Sequence, residues 1–164
     1  MTALLFLSAC NDRNETKPAT TAVAEENKQD RNKKIVMAAM ESFMKGNLDE
    51  TFKIADSTYV DYADGSIPPI HSLDTVKNFM RAIMTSLEGY KGENLKYYAD
   101  GDYVLVHGDW GGNFKQDLMG LKASGHPVKF KDVDIFKLND AGKVTEHYSV
   151  QNLGAVLMTS SMSK

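Results

Sequence analysis

The chain has few of the devices that hold small exported or metal-binding domains together. It has a single cysteine in 164 residues, Cys10, so no internal disulfide can form and the fold must stand on packing. No stretch approaches the roughly 20 apolar residues of a membrane-crossing helix. Basic charge is not in excess: 19 Lys and Arg face 22 Asp and Glu, for a net charge of −3, and no basic block extends beyond Lys33-Lys34. That balance argues against a nucleic-acid partner. The four histidines, His71, His107, His126 and His147, show neither an HExxH motif nor paired zinc spacing, so no metal site is expected. Ser149, Ser160 and Ser161 lack the flanking glycines of a nucleophile elbow. No cofactor is expected either.

What the chain does have begins at its start. Leu7-Ser8-Ala9-Cys10 closes a short apolar run and has the form of a bacterial lipobox: an aliphatic residue, two small residues and a cysteine. In lipoproteins with this pattern the thiol is acylated and everything before it is removed. A complete signal also has a basic n-region and an apolar core of roughly 7–15 residues. Residues 1–10 contain no Lys or Arg, so the signal reads as truncated, with the start codon placed too late. The alternative is that the apolar run is simply the start of a buried helix. Residues 11–30 are polar, rich in Thr, Ala, Glu and Asn, interrupted by Pro18 and without an apolar period. Such a segment reads as a disordered tether, because it buries too little surface to offset its ordering entropy. Its r.m.s. reach would be on the order of 25 Å. The expectation is a domain lipid-anchored through Cys10 in a bacterial cell envelope, on the periplasmic or cell-surface side. The body, residues 31–160, is long enough for one domain with a real core.

Within that body the apolar period is first helical and then twofold. Ile35, Val36, Ala39, Met40 and Phe43 share a helix face that Gly46 ends. Asn47 and Glu50 have capping-box spacing and open a short second helix. A short extended piece over 57–61 leads to a Gly65/Pro68-Pro69 loop. Ser72 then caps the strongest helix, whose stripe of Leu73, Val76, Phe79, Met80, Ile83, Met84 and Leu87 should pack on the concave face of a sheet. After Gly89 the period is two, which predicts strands over 91–99, 102–110, 114–121, 128–138 and 144–152, separated by turn-forming glycines. Residues 153–158 read as a short helix or a strand extension. Three helices followed by a strand meander is an α+β layout, with a strongly curved, mostly antiparallel sheet wrapping the helices around a cavity.

Three phrases carry a family resemblance. They are Met119-Gly120-Leu121-Lys122-Ala123-Ser124-Gly125-His126-Pro127-Val128, Val133-Asp134-Ile135-Phe136 and Gly142-Lys143-Val144-Thr145-Glu146-His147-Tyr148. Together they resemble the SnoaL-like polyketide cyclase branch of the nuclear-transport-factor-2-like superfamily, over about residues 32–158. The resemblance implies a cone-shaped α+β barrel with an interior cavity, often dimerising through the outer face of its sheet. The cyclases' last-strand motif ends in an aspartate acting as general acid/base, and here that position is Asn152, an amide that cannot exchange a proton near neutral pH. Their Gly-Thr-His phrase reads Gly112-Asn113-Phe114, and a histidine common at the end of the first extended segment corresponds to Tyr62. The usual acid/base set is therefore missing.

Strand alternation puts Val144, Glu146, Tyr148, Val150 and Asn152 on one face, which the resemblance makes the cavity face. In the strand over 102–110, His107 and Asp109 share a face, about 7 Å apart. If that side is inward they form an acid/base pair; if it is outward they are solvent-facing. Asp132 and Asp134 share a parity with Phe130 and Phe136 but not with Val133 and Ile135, a conflict that a bulge would resolve. Two functions follow. In the first, the cavity binds a small apolar or aromatic ligand without proton transfer, lined by Tyr62, Trp110, Phe114, Phe136, Tyr148 and Asn152. In the second, it is an isomerase, cyclase or hydrolase with a displaced acid/base set such as His107 and Asp109. What separates them is whether an ionisable side chain faces the interior.

Overall fold

The computed structural model describes residues 20–162, with side chains from residue 28 onward; Cys10, the lipobox and the first part of the expected tether lie outside the described residues. Helix α1, Thr20–Met44, begins well before the apolar period does. Residues 20–30, expected as tether, are helical. Their alanines and glutamates favour helix, and Lys28 holds the segment to two sheet turns through Asp102 at 2.6 Å and Asp140 at 2.7 Å. Arg31 donates to the carbonyl oxygen of Asp140 at 2.9 Å. Exposed pairs like these are worth about 0.2–1 kcal/mol each, so they orient the helix more than they stabilise it. An apolar-period reading has no access to them.

The inner face of α1 buries Val36, Ala39, Met40 and Phe43. Gly46, at φ 74°, turns the chain out of the helix. Asn47 then caps α2, Leu48–Thr51, by accepting from the Glu50 amide at 3.2 Å. The Glu50 carboxylate turns to Lys53 and leaves the capping box half made. A 3-10 turn leads into β1, Ala55–Asp61. Helix α3, Leu73–Ser86, is capped by Ser72 as the sequence indicates. Its Val76 and Ile83 are buried, as is Leu87 just beyond it, while Phe79 and Met80 are half-buried at the edge of a cavity. Strands β2 (Leu87–Asp100), β3 (Tyr103–Phe114), β4 (Pro127–Leu138) and β5 (Val144–Ser149) follow, and α4, Leu153–Met162, closes the described chain.

The five strands form one sheet in the order β1-β5-β4-β3-β2, with β1 parallel to β5 and the other pairs antiparallel. The sheet is curved and open, so the expected barrel is a cone closed by helices and not by strand pairing. The strand expected over 114–121 is absent. Phe114 ends β3, and residues 115–126 form a loop with a tight Leu118–Leu121 bridge, in which Met119 and Gly120 both have positive φ. The physical reason lies in pairing: β3 and β4 are in unbroken register from Tyr103↔Lys137 to Asn113↔Pro127, which leaves no place between them.

That same register settles the parity of β4. No bulge interrupts it, so Phe130, Asp132, Asp134 and Phe136 all face the concave side while Val133 and Ile135 face out. The bulge falls in β5. Lys137 pairs with Glu146 and the next residue, Leu138, pairs with Val144, leaving Thr145 as the extra residue. The consequence inverts the expected pattern: Val144 faces in, and after the bulge His147 and Ser149 face in, while Glu146 and Tyr148 face out.

Candidate functional site

A cavity of about 190 Å³ lies between the concave face of the sheet and the helices α1 and α3. An engineered cavity of about 150 Å³ already accepts benzene, so this one has room for a ligand of one or two rings. Its walls are apolar, with Met40, Phe43, Phe79, Ile83, Trp110 and Phe130 among them. Its polar groups gather where β1, β5 and β4 meet: Asp61, Asp132, Asp134, His147 and Ser149.

Strand pairing explains that gathering. His147 pairs with Asp61 across the parallel β1–β5 ladder and with Phe136 across β4–β5, and Asp134 pairs with the next inward residue, Ser149. The imidazole therefore sits between two carboxylates. Its Nδ1 is 3.2 Å from Asp61 Oδ2 and its Nε2 is 3.4 Å from Asp134 Oδ1. Asp61 also accepts from the Tyr59 hydroxyl at 3.1 Å and from the Ala63 amide at 2.8 Å.

Charges follow from these contacts. Burial alone would lower the His147 pKa, but hydrogen bonds to Asp134 and Asp61 outweigh it and raise it to about 10, so the ring is an imidazolium at neutral pH. For Asp61, burial pushes upward but the hydrogen bonds from His147, Ala63 and Tyr59 win and hold the carboxyl below its usual range. For Asp134, burial wins over the attraction of His147, and its pKa is raised. The two aspartates thus differ as two members of an acid/base set must. Asp132 is different again. It accepts from the amides of Val133, Val150 and Gln151 and from the Ser149 hydroxyl, and it pins the link between β5 and α4. Among the described residues Asp134 has His147 as its hydrogen-bond partner, which leaves carboxyl oxygen capacity toward the cavity.

The residues singled out from sequence divide. Trp110, Phe136 and Asn152 line the cavity. Phe136 lies against the His147 ring at 4.9 Å, and the Asn152 side-chain oxygen accepts from the Ala155 amide at 2.7 Å as the cap of α4. Phe114 does not line the cavity; it is fully buried in a second core cluster with Leu87 and Leu157. Tyr62 and Tyr148 stack on each other at 4.7 Å away from the cavity, because the bulge at Thr145 turns Tyr148 outward. His107 and Asp109 also point away: Val104, Val106 and Trp110 take the inner parity of β3, and Asp109 is tied to Lys131 and Asn94 on the outer face. They form no acid/base pair. His147 and Asp61 are the functional groups that sequence reasoning missed. The adjacent Glu146-His147-Tyr148 lay within a recognised phrase, but only the bulge decides which of the three faces in.

Among the described residues no group of His, Cys, Asp and Glu side chains is arranged to hold a metal. Both His147 ring nitrogens are taken by carboxylates.

Solved structures share this architecture. A candidate SnoaL-like polyketide cyclase from Jannaschia sp. CCS1 superposes with a TM-score of 0.72 at 19% identity, covering 84% of this chain and 96% of that one. A candidate polyketide cyclase from Xanthomonas campestris pv. campestris gives 0.72 at 18% identity, covering 81% and 98%. AclR, a candidate hydroxylase from Streptomyces galilaeus, gives 0.68 at 21% identity, covering 80% and 96%. At these identities the likeness shows the fold. No curated protein matches the chain. The family model of the SnoaL-like polyketide cyclases matches residues 33–158, and the chain belongs to that family.

Proposed function

We propose that the cavity binds a small, largely apolar carbonyl compound and transfers a proton at the carbon beside its carbonyl group, the step shared by cyclases and isomerases. The observation that carries this reading is Asp134, a half-buried carboxyl that faces an apolar cavity and has His147 as its hydrogen-bond partner among the described residues; desolvation raises its pKa. As carboxylate, Asp134 removes the proton; the negative charge passes to the substrate oxygen, and the protonated carboxyl returns the proton elsewhere. A raised pKa makes the carboxylate a stronger base than an ordinary aspartate. His147 stays an imidazolium and offsets the charge of Asp61, which in turn fixes the ring. The apolar walls keep water from competing.

One observation favours a second reading, binding without chemistry. The position at which the cyclases place their acid is Asn152, whose oxygen is already engaged as the cap of α4. On that reading Trp110 and Phe136 hold a flat ligand by apolar contact. Deuterium exchange separates the two. With small cyclic ketones in D₂O, the wild type should accelerate exchange of the α-hydrogens, and Asp134→Asn should lower that rate by about 100-fold or more, within the range general base catalysis supplies. Wild-type exchange at the buffer rate, with aromatic ligands still bound, would establish the binding reading.

The domain is further proposed to be displayed from a bacterial envelope through a lipid on Cys10. The support is the lipobox and the polar stretch that follows it. Behind an intact signal, the wild type should partition with membranes and Cys10→Ser should not; membrane recovery of the Ser variant would remove the anchor.

A further inference from the structure

We propose that Tyr90 is the donor that holds the substrate's oxygen, and that the site therefore takes a compact cyclic ketone, enol or phenol; this rests on the proton-transfer reading of the same cavity. Tyr90 lies in β2, where the ladder to β3 shifts between Glu88 and Lys91, just after Gly89 at φ 71°. That irregularity turns its side chain to the concave face, where it lines the cavity. The ring is clamped: it stacks on Trp110 at 5.6 Å with an interplanar angle of 24° and meets Phe43 edge-on at 6.3 Å. Gly92 keeps that arrangement possible, since a Cβ there would come within 3.2 Å of the indole.

The hydroxyl at the end of this clamped ring has no hydrogen-bond partner among the described residues, yet it is not sealed in; Trp110 Nε1 is the sealed atom without a partner there. Other polar groups of the wall are engaged: Tyr59 with Asp61, and Ser149 with Asp132. Burial and the negative charges of Asp134 and Asp132 both raise the Tyr90 pKa, so the phenol stays protonated and acts as a donor. The cavity thus offers an acceptor at Asp134 and a donor at Tyr90, with aromatic surface around them. A cationic amine would satisfy Asp134 and leave Tyr90 without an acceptor. A carboxylate would satisfy Tyr90 and face Asp134 with like charge. A neutral compound with an acceptor oxygen beside an acidic C–H or O–H satisfies both.

The test uses 2-naphthol, whose oxygen and ring mimic an enol, and naphthalene as the control without oxygen, each titrated against the full chain by fluorescence. The wild type should prefer 2-naphthol by about tenfold or more, the size expected of one hydrogen bond in an apolar site. Tyr90→Phe should remove that preference while naphthalene binding stays within about twofold, which also reports that the variant is folded. No preference in the wild type overturns the proposal without need of any variant, and so does an undiminished preference in Tyr90→Phe. Deuterium exchange at the wild-type rate in Tyr90→Phe overturns the role of Tyr90 while leaving the proton-transfer reading intact. Failure of exchange in the wild type, with the naphthol preference still dependent on Tyr90, overturns that reading and leaves Tyr90 as the ligand's donor.

Discussion

His147 bridges two carboxylates with one ring, so its removal should cost more than its own contacts are worth. His147→Ala would leave Asp61 and Asp134 buried together without the cation between them. Breaking a buried charge pair by removing one partner typically costs about 3–5 kcal/mol, and urea unfolding should show a loss in that range. A loss under about 1 kcal/mol would mean that the ring does not neutralise the pair. The pH dependence has a definite sign. A histidine whose pKa is raised on folding contributes stability that is fully present below its ordinary value of 6.5 and is lost as pH rises toward about 10. Asp134, also raised, acts in the same direction from the carboxylate range upward. Asp61, lowered, does the opposite: its stabilisation holds above the carboxylate range and is lost as pH falls through it. The thermal midpoint of the wild type should therefore fall between about pH 7 and pH 10, and His147→Gln should flatten that fall.

At the scale of elements, the β5 bulge decides which chemistry faces the cavity. Deleting Thr145 would restore simple alternation between Leu138↔Val144 and Lys137↔Glu146, with Val144 and His147 two residues apart and both still facing the interior. The deletion should therefore keep the site and cost about 1 kcal/mol, the worth of the Thr145 hydroxyl's bond to the Lys137 carbonyl oxygen, read from the urea midpoint. A loss of more than about 3 kcal/mol would show that the deletion does not keep Val144 and His147 on the inner face. This element also marks the limit of what the sequence discloses. The Gly46 stop, the Ser72 and Asn47 caps and the stripe of α3 are local: each depends on residues within a turn or two, and each is legible. The bulge, the loop over 115–126 and the early start of α1 depend on pairing or contacts between segments distant in the chain. Trp110 and Phe136 could be read as cavity residues because β3 and β4 are regular there. Tyr148 could not be separated from His147, because one extra residue reverses the faces of β5 beyond it.

For the whole molecule, the outer face of the sheet is the feature that the described residues leave uncovered. Leu105, Ile135 and Tyr148 lie side by side across β3, β4 and β5, and Tyr62 extends the row by stacking on Tyr148. Val133 pairs with His107 in the neighbouring row, while Tyr98 is 56% exposed and Val150 is 65% exposed. Apolar residues on both faces of β4 are the pattern of a strand covered on both sides, and α1 and α3 cover only the concave one. The ion pairs Lys131–Asp109 and Lys137–Glu146 frame the rows. We propose that a second copy of the chain covers this face, related by a twofold axis that sets each row against its equivalent. Such a contact must bury on the order of 1,000 Å² or more to be stable. Light scattering at micromolar concentration should give the mass of two chains for the wild type and of one for Ile135→Lys, whose charge would lie in the middle of the contact. The helical signal and the thermal midpoint of the variant's protomer should change little, because the Ile135 side chain supports nothing in the concave core. A wild type that runs as one chain at that concentration would remove the dimer. An Ile135→Lys variant that still runs as two chains would move the interface elsewhere.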